Sequence, residues 1–254
     1  MGSLLAFNVG NTRLALGVFR DDVLEHVERI PHDQRQRWPE RISAAWQRLG
    51  RDGEAALAGV SVNPPTSEAL DSVVAGVAGR RVRWVGREIP VPIPVLTEHP
   101  QQTGLDRVLN VAAAHARARS ACIVVDAGTA VTVNVCNARG EFLGGAIGAG
   151  ASLMLRALHE KTAKLPLVAL DAPAEPIGRN TQQAILHGVY FGVRGLVREL
   201  VERYRAVLGE PVHVVATGGD AVRLFDTWNV VTEVVPDLTL HGVALAHRRQ
   251  QHRP

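Results

Sequence analysis

Three short clusters in this chain have the residue types and spacing to handle phosphate and to move a proton. The first is Asn8-Val9-Gly10-Asn11-Thr12-Arg13-Leu14-Ala15, and the second is Asp126-Ala127-Gly128-Thr129. In both, a polar residue stands two positions before a glycine, with a threonine close behind. Glycine lets backbone N–H groups approach a phosphate, the threonine adds a hydroxyl, and a carboxylate just ahead can orient a hydrated cation. A single turn of this kind is equally a plain hairpin. Two of one design, 118 positions apart, with a further glycine turn at Thr217-Gly218-Gly219, favour a nucleotide-binding cleft.

The third cluster is Gly104-Leu105-Asp106-Arg107. Asp106 can act as a general base on an attacking hydroxyl, and the Arg107 guanidinium can grip an acidic substrate in forked geometry. The spacing Thr103-x-x-Asp106 is also that of a capping box, so the acid can simply close a helix N-terminus. Asn180-Thr181 has the same double meaning: a helix cap, or a hydroxyl presented where a helix dipole favours anions. His26, His32, His99, His115, His159, His187, His213 and His241 show no metal-ligand spacing and read as surface or packing residues. No Gly-x-Ser-x-Gly elbow occurs.

Each phosphate turn sits between two apolar runs of strand character, Leu4 to Val9 and Leu14 to Phe19 in one copy, Ile123 to Ala127 and Val131 to Val135 in the other. A turn at Asp21-Asp22, a helix over 38–49, a strand over 56–62 stopped by Asn63-Pro64-Pro65, a helix over 66–77 and a strand over 82–85 complete a first half. Four prolines make 89–102 an extended connection before a helix over 108–118. The second half continues through the glycine-rich stretch 142–150, a helix over 152–159, a proline-containing loop and a long helix from Thr181 to about Leu208. Gly188, Gly192 and Gly195 give that helix a small-residue face that admits another helix closely. A strand into Thr217, a helix after it, a strand over 230–235 and a helix over 240–248 follow, and the closing residues 247–254 read as a frayed tail. The pattern is α/β, in two half-domains of 1–119 and 120–254 with mixed sheets flanked by helices.

With 46% hydrophobic and 21% charged residues over 254 positions, the composition is that of a globular protein and excludes disordered and fibrous classes. No apolar run approaches the ~18 residues of a membrane span and no signal peptide is evident, so no membrane partner and a cytoplasmic address are expected. Cys122 and Cys136 are the only cysteines and read as reduced strand residues. The net charge of +3 is scattered among acids, and aromatics are only 4%, which argues against a nucleic-acid partner.

Taken together and in order, Asn8-x-Gly10-Asn11-Thr12, Gly104-x-Asp106-Arg107, Asp126-x-Gly128-Thr129-Ala130, Gly144-Gly145-Ala146-Ile147, Ile177-Gly178-x-Asn180-Thr181 and Thr217-Gly218-Gly219 make the chain resemble type III pantothenate kinase from about Leu4 to Leu245. The resemblance implies two ribonuclease-H-like halves of the actin-like ATPase fold with ATP between them, and a homodimer. It further implies phosphoryl transfer from ATP to pantothenate, the first step of coenzyme A synthesis, with Mg²⁺ and a monovalent cation, K⁺ or NH₄⁺. By the same resemblance Asn8 to Ala15 and Thr129 contact ATP, and Gly104, Leu105, Asp106 and Arg107 bind pantothenate with Asp106 as base. Asp126 holds the monovalent cation, and Thr181 touches pantothenate, from the neighbouring subunit in one reading. Two positions depart from the family pattern: Asn8 stands where the family has Asp, and Thr97 where it commonly has Tyr. They motivate a second reading, a non-catalytic protein on the same fold that binds nucleotide or pantothenate in a regulatory or partner-binding role.

Overall fold

The computed structural model describes residues 2–50 and 55–251. The chain divides into two compact units, Met1–Pro94 with His99–Ala113 and Thr239–Pro254, and Val95–Glu98 with Ala114–Leu238. The sequence suggested one break after residue 119. The division instead falls inside a helix and is followed by a return of the C-terminal helix to the first unit.

In the first unit, β1 (Ser3–Val9), β2 (Arg13–Arg20), β3 (Val23–Pro31), β4 (Ala56–Ser61) and β5 (Arg83–Trp84) form one sheet in the order β3-β2-β1-β4-β5. The β1–β2 and β2–β3 pairs are antiparallel, and the β1–β4 and β4–β5 pairs are parallel. Asp21 and Asp22 carry φ of 49° and 67°, the left-handed pair that a tight turn between β2 and β3 requires. Strand parity sorts the side chains. Leu5, Phe7, Val9, Leu14, Leu16 and Val18 enter a core with Trp38, Ile42 and Ala45 of α1 (Trp38–Arg48) and Leu70 and Val74 of α2 (Pro64–Ala78). Leu4, Ala6, Ala15 and Phe19 face the other way, onto Leu109 of α3 (Leu105–Ala118) and Leu240, Val243 and Ala246 of α7 (Leu238–Gln251).

The second unit repeats the plan. Here β6 (Cys122–Ala127), β7 (Ala130–Cys136), β8 (Phe142–Ala149), β9 (His213–Thr217) and β10 (Glu233–Val234) lie in the order β10-β9-β6-β7-β8, with the same two antiparallel and two parallel pairings. Ile123, Val125, Ala127, Val131 and Val133 bury against α4 (Ala151–Glu160), α5 (Thr181–Leu208) and α6 (Ala221–Phe225), through Leu155, Val189, Val193, Val197 and Leu224. Cys122 and Cys136 face each other across β6 and β7 as free, buried thiols with Sγ atoms 3.0 Å apart.

Several bounds differ from the sequence reading for local reasons. The second helix begins at Pro64 rather than Thr66, because Pro lacks only an N–H that the first turn leaves unbonded, and Asn63 caps it through Oδ1 to the Thr66 N–H at 3.3 Å. The third helix starts at Leu105, since the Gly104 carbonyl already accepts from the Arg107 and Val108 N–H groups. The closing segment is not frayed up to Gln251. Arg248 bonds Asp22, Arg249 bonds the Pro92 carbonyl and Gln250 bonds the Glu88 carbonyl. Residues 252–254 of the expected tail lie outside the described residues.

Candidate active site

The first phosphate turn occupies residues 10–12, between β1 and β2. The Gly10 N–H donates to the Arg13 carbonyl at 3.1 Å, and a Cβ placed on Gly10 would meet only that carbonyl, at 3.4 Å, so the outer side of the turn is open. Asn11 and Thr12 are exposed, Arg13 and Asn8 half-buried. Val9, Leu14 and Ala15 are buried in the core, so any contact they make with a ligand runs through the main chain. Asn8 shares the strand parity of Leu4 and Ala6, and its cross-strand neighbours are Ala15 and Val60. That is the face on which α3 packs, and Leu105 joins the same apolar cluster as Ala15 and Val60. The first unit thus gathers Asn8 and the Gly104–Arg107 motif on one side of its sheet.

Asp106 lies in the first turn of α3, where its Oδ1 accepts the Arg107 N–H at 2.8 Å. Glycine at 104 makes room for this carboxylate, because a Cβ there would stand 2.8 Å from Oδ1. Burial pushes the Asp106 carboxyl above its ordinary value, against the opposing pull of the Arg107 N–H and guanidinium. The Oδ1 acceptor is thus turned to the following amide of the first turn, Arg107 N–H, rather than back to Thr103 as a capping box would have it.

In the second unit Asp126 has the parity of Val124, and its cross-strand neighbours are Thr132 and Thr217. A row of two hydroxyls flanking one carboxylate is a hard-oxygen set that suits a cation such as K⁺ or NH₄⁺. The corresponding row around Asn8 is Ala15, Asn8 and Val60, with nothing ionic in it. Asn134 donates from Nδ2 to Thr132 Oγ1 at 2.8 Å, which orients that hydroxyl. Gly218, at φ 98°, presses its Cα against the carboxylate; an added Cβ would lie 2.3 Å from the Ala127 carbonyl and 2.5 Å from Asp126 Oδ1. Gly150 backs the Gly128-Thr129 turn, donating its N–H to the Thr129 carbonyl at 3.0 Å, with room for a Cβ denied by the Gly128 carbonyl at 2.1 Å. Thr129 itself is exposed.

Thr181 is exposed at the start of α5. Its neighbour Asn180 uses its side chain as the cap, accepting the Gln183 N–H at 2.9 Å, while Gln183 Oε1 accepts the Arg179 N–H at 2.8 Å. Thr97 stands beside Gly144, its Cγ2 3.9 Å from where a Cβ on that glycine would be.

Residues 4–203 match the family model of type III pantothenate kinase. The chain belongs to the type III pantothenate kinase family. A type III pantothenate kinase of Syntrophotalea carbinolica is 36% identical over 259 residues, covering 98% of this chain and 99% of the relative. One from Anaeromyxobacter sp. strain K is 36% identical over 253 residues, covering 98% and 100%. Among solved structures, a Baf family transcriptional activator from Campylobacter jejuni aligns with a TM-score of 0.63 at 19% identity, covering 98% of this chain and all of that one. Component A of the Acidaminococcus fermentans (R)-2-hydroxyglutaryl-CoA dehydratase aligns at 0.59 and 15%, covering 99% and 100%. At these identities the likeness concerns the fold, two ribonuclease-H-like halves of the actin-like ATPase type.

The role of one supporting residue escaped the sequence reading, as did what two of the site's glycines pack against. Gly150 and Gly218 carry a signal only as members of glycine runs, which do not tell what they pack against. His32, taken for a packing residue, bonds the first phosphate turn directly, with its N–H on the Thr12 carbonyl and its Nε2 on the Gly10 carbonyl. Nothing in the sequence marks it, because strand β3 brings it to the turn from 22 positions away.

Proposed function

We infer that the chain transfers the γ-phosphoryl group of ATP to the hydroxyl of pantothenate, giving 4'-phosphopantothenate and ADP. The carrying observation is Asp106, a carboxylate held in the first turn of α3 beside Arg107 with its pKa raised by burial. In this reading the ionised Asp106 takes the hydroxyl proton as the oxygen attacks the γ-phosphorus. The bond from the γ-phosphorus to the bridging oxygen breaks, and the electron pair leaves with ADP. Arg107 holds the carboxylate end of pantothenate, while Gly104 and Leu105 shape the start of the helix beneath it. The open Gly10–Thr12 turn and Thr129 contact the ATP phosphates. Phosphoryl transfer is mainly positioning and charge neutralisation, so a fixed cradle and a tuned base carry most of the chemistry.

The donor sets also fit the implied cations. Asp126 with the Thr132 and Thr217 hydroxyls would hold K⁺ or NH₄⁺, and Mg²⁺ would arrive on ATP, supplying charge neutralisation of the transferring phosphate while keeping most of its own waters. Asn8 would meet that hydrated ion with an amide oxygen in place of a carboxylate. A homodimer is supported by α5, whose Gly188, Gly192 and Gly195 are exposed with open space above each, beside exposed Phe191 and Leu196. Thr181 at the start of that helix would then serve pantothenate. The paired free thiols accord with a reducing, cytoplasmic setting. Among the described residues no helix is long and apolar enough to cross a membrane.

The test is direct. Purified protein with ATP, Mg²⁺, K⁺ or NH₄⁺ and pantothenate is expected to form phosphopantothenate, and Asn8→Asp to do so at a lower Mg²⁺ concentration. No product from either folded protein would sink the kinase reading in favour of the binding role.

A further inference from the structure

The Gly10–Thr12 turn is fixed from behind by a residue with no part in the chemistry above. His32, which directly follows β3, donates its main-chain N–H to the Thr12 carbonyl at 3.0 Å, and its ring Nε2 lies 2.8 Å from the Gly10 carbonyl. A carbonyl only accepts, so Nε2 is the protonated ring nitrogen in this contact. The ring is steadied by Trp38, edge-on with centroids 6.1 Å apart, and Trp38 is itself anchored in the core under α1. Both ends of the turn are therefore tied to one residue.

The consequence follows from peptide geometry. Among the described residues there are no cis peptide bonds, and in a planar trans peptide the N–H points opposite to the C=O. Tying the Gly10 carbonyl to His32 turns the N–H of Asn11, which shares that peptide plane, away from His32. The Gly10 N–H is already committed to the Arg13 carbonyl, so the Asn11 amide is a donor whose direction the imidazole decides. A backbone N–H directed outward from a glycine turn is an anion ligand. We propose that His32 is a positioning residue for ATP, setting the Asn11 amide to meet a phosphate oxygen. This rests on the reading that the turn cradles ATP.

The test compares wild type with His32→Ala, His32→Gln and His32→Leu, by isothermal titration with ATP and by steady-state kinetics in each substrate. Glutamine can place an amide N–H near the position of Nε2; leucine fills the site without a donor. His32→Ala and His32→Leu are expected to weaken ATP binding roughly three- to tenfold, the range of one lost hydrogen bond, and to raise KM for ATP by a similar factor. KM for pantothenate should stay unchanged, and His32→Gln should recover most of the loss. Should His32→Ala prove poorly folded, the glutamine and leucine pair carries the comparison. Equal ATP affinity in wild type and His32→Leu, equal loss in Gln and Leu, or equal loss towards both substrates overturns the assignment. Wild-type protein that binds no ATP would instead remove the cradle reading and this inference with it, whereas ATP binding without phosphopantothenate formation leaves His32 testable by titration alone.

Discussion

At the scale of single residues, the decisive contrast is between three polar side chains in two kinds of setting. Asp126 lies between two threonines, Asn8 between an alanine and a valine, and Asp106 at the first turn of a helix under partial burial. A carboxylate in the apolar row at Asn8 would cost desolvation that a neutral amide avoids, which gives a physical reason for asparagine to be well tolerated there. On the proposed reading Asp106 has no such exemption, because a base must ionise. Its folded pKa is raised above the unfolded value, so its contribution to stability is complete below the unfolded value and is lost as pH rises through the folded one. Asp106→Asn is accordingly expected to lower kcat by about 10²–10⁴, the usual worth of a general base, while the melting temperature at neutral pH stays equal to wild type or rises. Melting curves across pH should show that gap closing as pH falls through the carboxylate range. The acid limb of wild-type kcat should lie above the ~3.9 of an ordinary aspartate. Retained turnover in Asp106→Asn would leave the residue as a helix cap alone.

At the scale of elements, each phosphate turn is held by something behind it: His32 behind the first, Gly150 behind the second, with Gly218 against the acid that precedes the second. The two glycines at the second site predict different outcomes. Gly128 faces open space, a Cβ there meeting nothing closer than 3.9 Å, so Gly128→Ala should fold with wild-type stability and lose ATP affinity only. Gly218→Ala forces a side chain at φ 98° into the Ala127 carbonyl and the Asp126 carboxylate. It is expected to cost about 1–3 kcal/mol of stability and to raise the K⁺ or NH₄⁺ concentration needed for half-maximal rate. Thermal denaturation with cation titration separates the two, and equal behaviour of both variants would show that the packing against Asp126 is unimportant. The turns themselves were legible in the sequence, because strand, turn and strand are contiguous and each strand is a short apolar run. Their supports were not. His32 and Gly218 reach the turns through tertiary pairing, and no periodicity within a short window encodes that.

At the scale of the whole chain, duplication was readable and its division was not. The repeated phrase at Asn8 and Asp126 foretold two sheets with one strand plan, β3-β2-β1-β4-β5 in one unit and its counterpart β8-β7-β6-β9-β10 in the other. What the sequence did not reveal is that residues 239–251 return to the first unit. Leu240, Val243 and Ala246 look like any amphipathic closing helix until the uncovered sheet face of Leu4, Ala6 and Phe19 is known to need them. The same logic of uncovered faces bears on assembly. In α5 the residues Val189, Val193, Val197 and Val201 are spent on the second unit's core, which leaves Gly188, Gly192 and Gly195 facing outward with nothing within 4 Å of a Cβ on any of them. Glycine at three exposed helical positions costs about 1 kcal/mol each relative to alanine, a cost offset if another helix packs closely there. On the homodimer reading, Gly192→Leu would hold that helix off. The variant should elute as a monomer in size-exclusion chromatography where wild type elutes as a dimer, and its melting temperature should lose the dependence on protein concentration that a dimer shows. If instead both proteins are monomeric, and Gly192→Leu is merely the more stable by its better helix propensity, the glycine face has no partner in a second copy of this chain.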